Sequence, residues 1–176
     1  MIKVSQPAPS FTLEGVAPDG ETFEQYTVGE GGTGRWTVLF FYPLDFTFIC
    51  PTEITAFSKA AAEFDKLGAD IYGVSTDSVH SHKAWIAGDL GKLAYPLLAD
   101  PTHDVTRQYG ILLEDEGIAL RGLYLIDPDG VLRYQLVHDN GTGRTVGETL
   151  RVLQALQSGE LCPVDWNPGE QTLGKA

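Results

Sequence analysis

The sequence predicts an α/β fold with a mixed central sheet flanked by helices. The segments read β–α–β–α–α–β–β–α, an alternation typical of helices packed on a sheet. Residues 36–42 form a nearly continuous apolar run, which suits an interior strand covered on both faces. The turn sequence Asp-Pro-Asp-Gly at 127–130 lies between two apolar segments and predicts a hairpin, so some pairing is antiparallel.

Turn formers and apolar spacing define the first half of the chain. The turn at 18–20 lies between short alternating segments and predicts a hairpin. Pro43 ends the apolar strand, and Pro51 suits the first turn of a helix. One apolar face then recurs at spacings of three and four until Gly68 ends the helix. The residues of that face are Ile54, Phe57, Ala61, Phe64 and Leu67.

The second half continues the alternation of strands and helices. Ser78 is placed to cap the helix predicted at 79–86, and Gly159 follows the last helix, which begins near Thr145. The acidic stretch 114–116 reads as a solvated loop. The remaining predictions are strands at 70–75, 120–126 and 131–138, an extended piece at 97–101 and a helix at 104–109.

Composition bounds both the class of protein and its partners. The chain has 176 residues, enough for about one domain, and we divide it into a domain at 1–160 and a C-terminal tail at 161–176. The formal net charge of -12 argues against nucleic acid and anionic membranes as partners. No signal peptide or membrane span is evident, so we expect a cytoplasmic protein. The 2 cysteines are too few for a disulfide framework or a four-thiolate zinc site.

Cys50 is the candidate nucleophile. It follows a buried strand and stands directly before Pro51, where a helix N-terminus offers free N–H groups and partial positive charge that stabilise a thiolate. The alternative is a small buried apolar residue. The loop position and the neighbouring Thr47 and Thr52 favour reactivity.

Arg121 and Cys162 are the other unusual residues. Arg121 interrupts an apolar strand, and a buried cation needs a partner such as a thiolate, although its head group could instead reach water. Cys162 is either a bystander thiol or the partner of Cys50, since each cysteine precedes a proline. The four histidines, His80, His82, His103 and His138, match no ligand pattern, so we expect no metal ion and no cofactor.

The sequence resembles the typical two-cysteine peroxiredoxins, most strongly the peroxidase component of bacterial alkyl hydroperoxide reductase. The resemblance extends from about residue 3 to 170 and rests above all on residues 40–53, which read FFYPLDFTFICPTE. Further matches are Gly73-Val74-Ser75-Thr76-Asp77-Ser78, His82-Lys83-Ala84-Trp85, Pro96 to Asp100, Arg121-Gly122-Leu123, Gly143-Arg144 and Gly159 to Pro163. It implies a thioredoxin-like fold with peroxiredoxin-specific additions.

The resemblance also implies a role for each residue of the site. Cys50 would be the peroxidatic cysteine, which a peroxide oxidises to a sulfenic acid. Pro43 would shield the thiolate, Thr47 would hydrogen-bond the peroxide, and Arg121 would stabilise the developing charge. Glu53 and Arg144 would form a supporting polar network. Cys162 would be the resolving cysteine, contributed by the partner subunit.

The implied enzyme is an antioxidant oxidoreductase with several partners. A homodimer, assembled into a ring of five dimers, would form an intersubunit disulfide that thioredoxin or a dedicated flavoprotein reductase reduces. Gly88-Asp89-Leu90-Gly91 departs from the Gly-Gly-Leu-Gly of peroxide-sensitive members, and the tail lacks their Tyr-Phe helix, so we expect resistance to over-oxidation. Thr145 and Gly147 depart from the family's residues beside Arg144.

Two other functions stay open at this point. A ring-forming chaperone is compatible with the resemblance, but no residue indicates it. A thioredoxin-like disulfide exchanger is disfavoured because Cys50-Pro51-Thr52-Glu53 is not a C-x-x-C motif. Neither the preferred peroxide nor the reductant follows from the sequence.

Overall fold

The computed structural model describes residues 2–29 and 33–175. Of the two predicted parts of the chain, 1–160 includes residues 1 and 30–32 outside this range, and 161–176 includes residue 176. The strands are β1 (Phe11–Val16), β2 (Phe23–Val28), β3 (Trp36–Phe41), β4 (Ala69–Ser75), β5 (Leu97–Ala99), β6 (Leu112–Leu113), β7 (Ile118–Ala119), β8 (Arg121–Ile126) and β9 (Leu132–His138). The helices are α1 (Cys50–Lys66), α2 (Val79–Trp85), α3 (Asp104–Gln108) and α4 (Val146–Ser158). The chain forms two compact units, Met1–Arg144 and Thr145–Ala176.

The first unit contains the predicted mixed sheet. Among the described residues, its strand order is β2-β1-β5-β4-β3-β8-β9. β3, β4 and β5 run parallel, whereas β1, β2, β8 and β9 pair antiparallel with their neighbours. The hairpins predicted from the turns at 18–20 and 127–130 are therefore the β1–β2 and β8–β9 pairs.

β3 is apolar along its length because both faces of the strand are covered. On one face the Phe40 ring stacks on Phe57 of α1, with centroids 4.7 Å apart. On the other face the Phe41 ring contacts Tyr109, which follows α3, and Tyr124 of β8, at 5.2 and 5.9 Å. Helices thus flank the sheet, and the buried end of β3 leads directly toward α1.

The boundaries of α1 follow the sequence signals. Ile49 precedes the helix without a side-chain cap, and Pro51 lies in the first turn, where its missing N–H costs no helical hydrogen bond. Glu53 adds a carboxylate to the same turn. Gly68, at φ 66°, supplies the left-handed residue that ends the helix.

Three local features differ from the sequence prediction. The helix predicted to reach Ile86 instead passes into a π-helical segment at Ile86–Leu90, in which Gly88 has non-helical dihedral angles. β6 and β7 form a small hairpin around the exposed turn 114–116, and strands of two residues are too short to show an alternating pattern. β8 begins at Arg121 instead of Leu120.

The second unit consists of α4 and the segment that follows it. α4 ends where Gly159 adopts φ 64°, as the sequence predicted. Residues 160–175 contain no helix and fold back on themselves, since the main-chain N–H of Leu161 donates to Gly174 and that of Leu173 donates to Leu161, both at 2.8 Å. The side chain of Trp166 in this segment is 6% exposed. In the described part of the chain, no helix has the length and apolarity that crossing a membrane requires.

Candidate active site

Cys50 and Arg121 come together because of how two strands pair. β8 runs antiparallel to β3, with Phe40 opposite Leu123. Arg121 is two residues before Leu123, so it lies beside the end of β3, from which the chain continues into the loop before Cys50. Both side chains are buried, with Cys50 0% and Arg121 2% exposed.

Arg121 bridges the thiol and a carboxylate. Its Nη1 is 3.5 Å from Sγ of Cys50 and 2.5 Å from Oε2 of Glu53. Its Nε donates to the main-chain oxygen of Asn140 at 3.0 Å. The guanidinium is therefore held on two sides while one of its N–H groups faces sulfur.

Arg144 is the second buried cation at this site. Its Nε is 2.8 Å from Oε1 of Glu53, its Nη2 is 3.0 Å from Oε2, and its main-chain N–H donates to Oε1 at 2.6 Å. Its Nη1 donates to the carbonyls of Phe41 and Gly122 at 2.8 and 2.5 Å. Each of these groups is buried, so the contacts form a closed polar network beneath Cys50.

The charge count of this network favours an anion at Cys50. Two guanidinium groups surround a single carboxylate, which leaves one positive charge in excess. A buried charge is costly unless it is paired, and a thiolate of Cys50 at the N-terminus of α1 supplies the missing partner. The arrangement can therefore stabilise a thiolate, the nucleophilic form of cysteine.

The pKa of Glu53 is lowered from its ordinary value of 4.5. Burial by itself would raise this pKa, but the hydrogen bonds and positive charge of Arg144, together with the charge of Arg121, outweigh burial. Glu53 therefore remains a carboxylate at neutral pH and keeps both arginines in place.

Pro43 and Thr47 lie in the loop between β3 and α1, which leads to Cys50. Pro43 is buried and Thr47 is half-buried. The hydroxyl of Thr47 donates to the main-chain oxygen of Leu44 at 2.9 Å, so in this structure its proton is directed toward the loop itself.

Cys162 belongs to the second unit and is half-buried after α4. Its Sγ lies 3.6 Å from Oγ of Ser158 and 3.9 and 3.8 Å from the carbonyl oxygens of Ala155 and Glu160. Neither Cys50 nor Cys162 takes part in a disulfide in this structure.

Some residues around the loop could not be singled out from the sequence. Asp45 and His82 are buried and share a hydrogen bond of 2.8 Å. In the sequence, Asp45 stands out only as a charged residue within an apolar loop, and His82 only as a histidine on a short helix. Both signals are weak. Asn140 holds Arg121 through its main-chain oxygen, and the type of a residue does not reveal a main-chain contact.

Within residues 2–29 and 33–175, no three histidine, cysteine or acidic side chains are grouped so as to hold a metal ion.

The sheet is mixed and has helices on its faces. Cys50 lies at the N-terminus of a helix and contacts a buried arginine. These features define the class of thioredoxin-like thiol enzymes. Comparison with known proteins specifies the family. The AhpC/TSA family model matches residues 4–135. The Bacillus subtilis protein YkuU is 54% identical over 176 residues, covering 97% of each chain, and peroxiredoxin-2 of Bos taurus is 50% identical over 179 residues, covering 97% of this chain and 88% of the relative.

A solved structure agrees with these relatives. The reduced 2-Cys peroxiredoxin of Plasmodium vivax superposes with a TM-score of 0.93 at 34% identity, covering 98% of this chain and 93% of that one. The chain belongs to the AhpC/TSA family of peroxiredoxins. It is an antioxidant thiol peroxidase whose substrate is a peroxide and whose electrons come from a thiol reductant.

Replacing the shared carboxylate tests the network. We expect Glu53→Gln to lower the free energy of unfolding at pH 7 by about 3–5 kcal/mol, because the amide turns an N–H₂ group toward buried guanidinium donors. Since the folded pKa of Glu53 is lowered, its stabilisation is complete above pH 4.5 and declines as the pH falls further. The difference in the free energy of unfolding between the wild type and Glu53→Gln should therefore be smaller in acid. Urea unfolding of both proteins at pH 7 and near pH 3 measures this difference.

Glu63→Gln is the matched control, on the exposed side of the same helix. Its stability should stay within about 0.5 kcal/mol of the wild type. Equal stability of Glu53→Gln and Glu63→Gln at pH 7 would contradict the role assigned to the network.

Proposed function

We propose that this peroxiredoxin reduces hydrogen peroxide and organic hydroperoxides through a sulfenic acid at Cys50 and an intersubunit disulfide with Cys162. The observation that carries the proposal is the 3.5 Å contact between Sγ of Cys50 and Nη1 of Arg121 in a buried network with excess positive charge. The contact supports a thiolate nucleophile in place of an inert buried thiol.

In the first step the thiolate of Cys50 attacks the terminal oxygen of the peroxide. The S–O bond forms as the O–O bond breaks, sulfur is oxidised to the sulfenic acid, and the other oxygen leaves as water or alcohol after taking a proton from solvent. Arg121 stabilises the negative charge that develops on the oxygens. Thr47 turns its hydroxyl from Leu44 toward the peroxide, and Pro43 shields the thiolate from water.

Glu53 and Arg144 act through Arg121. Their hydrogen bonds fix the guanidinium beside the sulfur, so that its charge needs no rearrangement when the peroxide reacts. We therefore regard both as positioning residues.

In the second step the thiolate of Cys162 from the partner subunit attacks the sulfenic sulfur of Cys50. The S–S bond forms and hydroxide leaves, taking up a proton to give water. A dithiol reductant, thioredoxin or a dedicated flavoprotein reductase, then reduces the disulfide and is itself oxidised. We propose a cytoplasmic location, where such reductants keep cysteines reduced, and a peroxidase domain at 1–160 with a tail at 161–176 that carries Cys162.

Serine substitutions separate the two cysteines. We expect Cys50→Ser to abolish peroxide consumption, since a hydroxyl cannot replace the thiolate, with the fold unchanged by circular dichroism. Cys162→Ser should react once with peroxide and then stop. On non-reducing electrophoresis after one equivalent of peroxide, the wild type should run as a covalent dimer that neither variant forms. Peroxide consumption by Cys50→Ser at the wild-type rate would refute the mechanism.

The assembly that supports this chemistry is a homodimer, arranged as a ring of five dimers. An intersubunit disulfide requires at least a dimer. Exposed apolar side chains in the described residues, Phe48 at 95% and Phe46 at 59%, suit burial against other copies. Size-exclusion chromatography with light scattering should give a decamer for the reduced protein, whereas a monomer in both redox states would contradict the proposal.

We also propose that the enzyme resists over-oxidation. Asp89 replaces a glycine of the motif found in peroxide-sensitive relatives, and residues 161–175 contain no helix that would delay disulfide formation. During turnover with a modest excess of peroxide, mass spectrometry should find Cys50 mostly as disulfide. Extensive sulfinic acid at Cys50 under these conditions would contradict this expectation.

A further inference from the structure

A second buried polar cluster lies outside the network of Cys50. We call it the Asp45 cluster, and its members are Tyr42, Asp45, Asp77, Ser81 and His82. The carboxyl group of Asp45 accepts hydrogen bonds from the hydroxyl of Tyr42 at 2.9 Å and from Oγ of Ser81 at 2.7 Å, and its Oδ2 shares a hydrogen bond of 2.8 Å with Nδ1 of His82. The carboxylate and the imidazole are 1% and 0% exposed.

The protons of this cluster are assigned by its hydrogen bonds. Nε2 of His82 lies 3.1 Å from the carbonyl oxygen of Leu98, which can only accept. Nε2 of His82 therefore carries the proton that it donates to Leu98, and Nδ1 shares a hydrogen bond with Asp45. Burial and the charge of Asp45 raise the pKa of Tyr42, which keeps its phenolic proton for donation.

Asp77 is the remaining charged group of the cluster. Its Oδ2 accepts from the main-chain N–H of Asp45 at 2.9 Å and from Oγ of Ser75 at 2.7 Å. Burial, and then the charge of Asp45, raise the pKa of Asp77. Asp45 is thus fixed through both its main chain and its side chain.

The cluster controls the path of the chain into the peroxidatic helix. Phe46, the next residue, has φ 55°, a left-handed conformation that costs a non-glycine residue about 1–2 kcal/mol. The neighbouring contacts hold it there: Asp45 is anchored by the cluster, and the Phe46 ring packs on Trp85 of α2 with centroids 5.6 Å apart. Thr47 follows directly, and Cys50 begins α1 three residues later. The direction in which these two side chains point therefore depends on Asp45.

We propose, as an extension of the proposed function, that Asp45 and His82 are positioning residues for the oxidation of Cys50. The side chain of His82 joins the loop at Asp45 to α2 and β5, and so sets Thr47 and Cys50 in the geometry that receives the peroxide. Neither residue touches the reacting atoms.

The test measures the rate at which hydrogen peroxide oxidises Cys50 by rapid mixing of the reduced full chain. Asp45→Asn and His82→Gln should each slow the reaction about 10- to 100-fold, the scale expected when a reacting group is misplaced by about 1 Å. The double variant should be no slower than the slower single variant, because the two residues act as one unit. His80→Gln, an exposed histidine on the same helix, should react at the wild-type rate.

A measurement on the unaltered protein complements the kinetics. Nitrogen-detected magnetic resonance of the wild type should show Nε2 of His82 protonated, as its hydrogen bond to Leu98 requires, and an unprotonated Nε2 would overturn the proposal. Ser81→Ala removes a single hydrogen bond from Asp45 and should slow oxidation about 5-fold, the scale of one typical hydrogen bond. If Asp45→Asn and His82→Gln do not fold, the oxidation rate of Ser81→Ala tests the proposal instead.

The outcomes also separate this inference from the function on which it rests. If the wild type itself does not react with peroxide through Cys50, the proposed function fails. If the wild type reacts and folded Asp45→Asn, His82→Gln and Ser81→Ala react equally fast, the proposed function stands and the positioning role is refuted.

Discussion

The carboxylate of Glu53, shared between two buried arginines, is the interaction on which the site depends. It joins the first turn of α1 to Arg121 at the start of β8 and to Arg144 at the end of the first unit. Removing one partner from such a group leaves an uncompensated buried charge. The same contacts that hold the helix against the sheet therefore also hold a cation beside Cys50.

The sheet makes this arrangement possible. Because β8 runs antiparallel to β3, the N-terminal end of one strand lies beside the C-terminal end of the other. Arg121 starts β8, and the loop to Cys50 leaves the end of β3. Arg144 then donates to the carbonyls of Phe41 and Gly122, one on each of these strands, so the polar network is tied to the main chain of the sheet.

The loop between β3 and α1 is held at its middle and at its C-terminal end by two buried polar groups of residues. The Asp45 cluster fixes its middle against α2 and β5, and Glu53 fixes the start of α1. Between these two anchors lie Phe46, with its left-handed backbone, and Thr47. The loop that leads to Cys50 is thus held by two separate buried polar clusters, and the one that contains Arg121 contacts the thiol.

The sequence by itself determined the class of fold, most element boundaries and the identity of the candidate residues. Apolar runs, Pro51, Gly68 and the turn at 127–130 act locally, and the motif around Cys50 is specific enough to indicate the family. The sequence did not reveal the β6–β7 hairpin, the π-helical segment, or the pairing of Asp45 with His82. These depend on contacts between segments far apart in the chain, and only the tertiary structure decided that Glu53 pairs with both arginines and leaves one positive charge for Cys50.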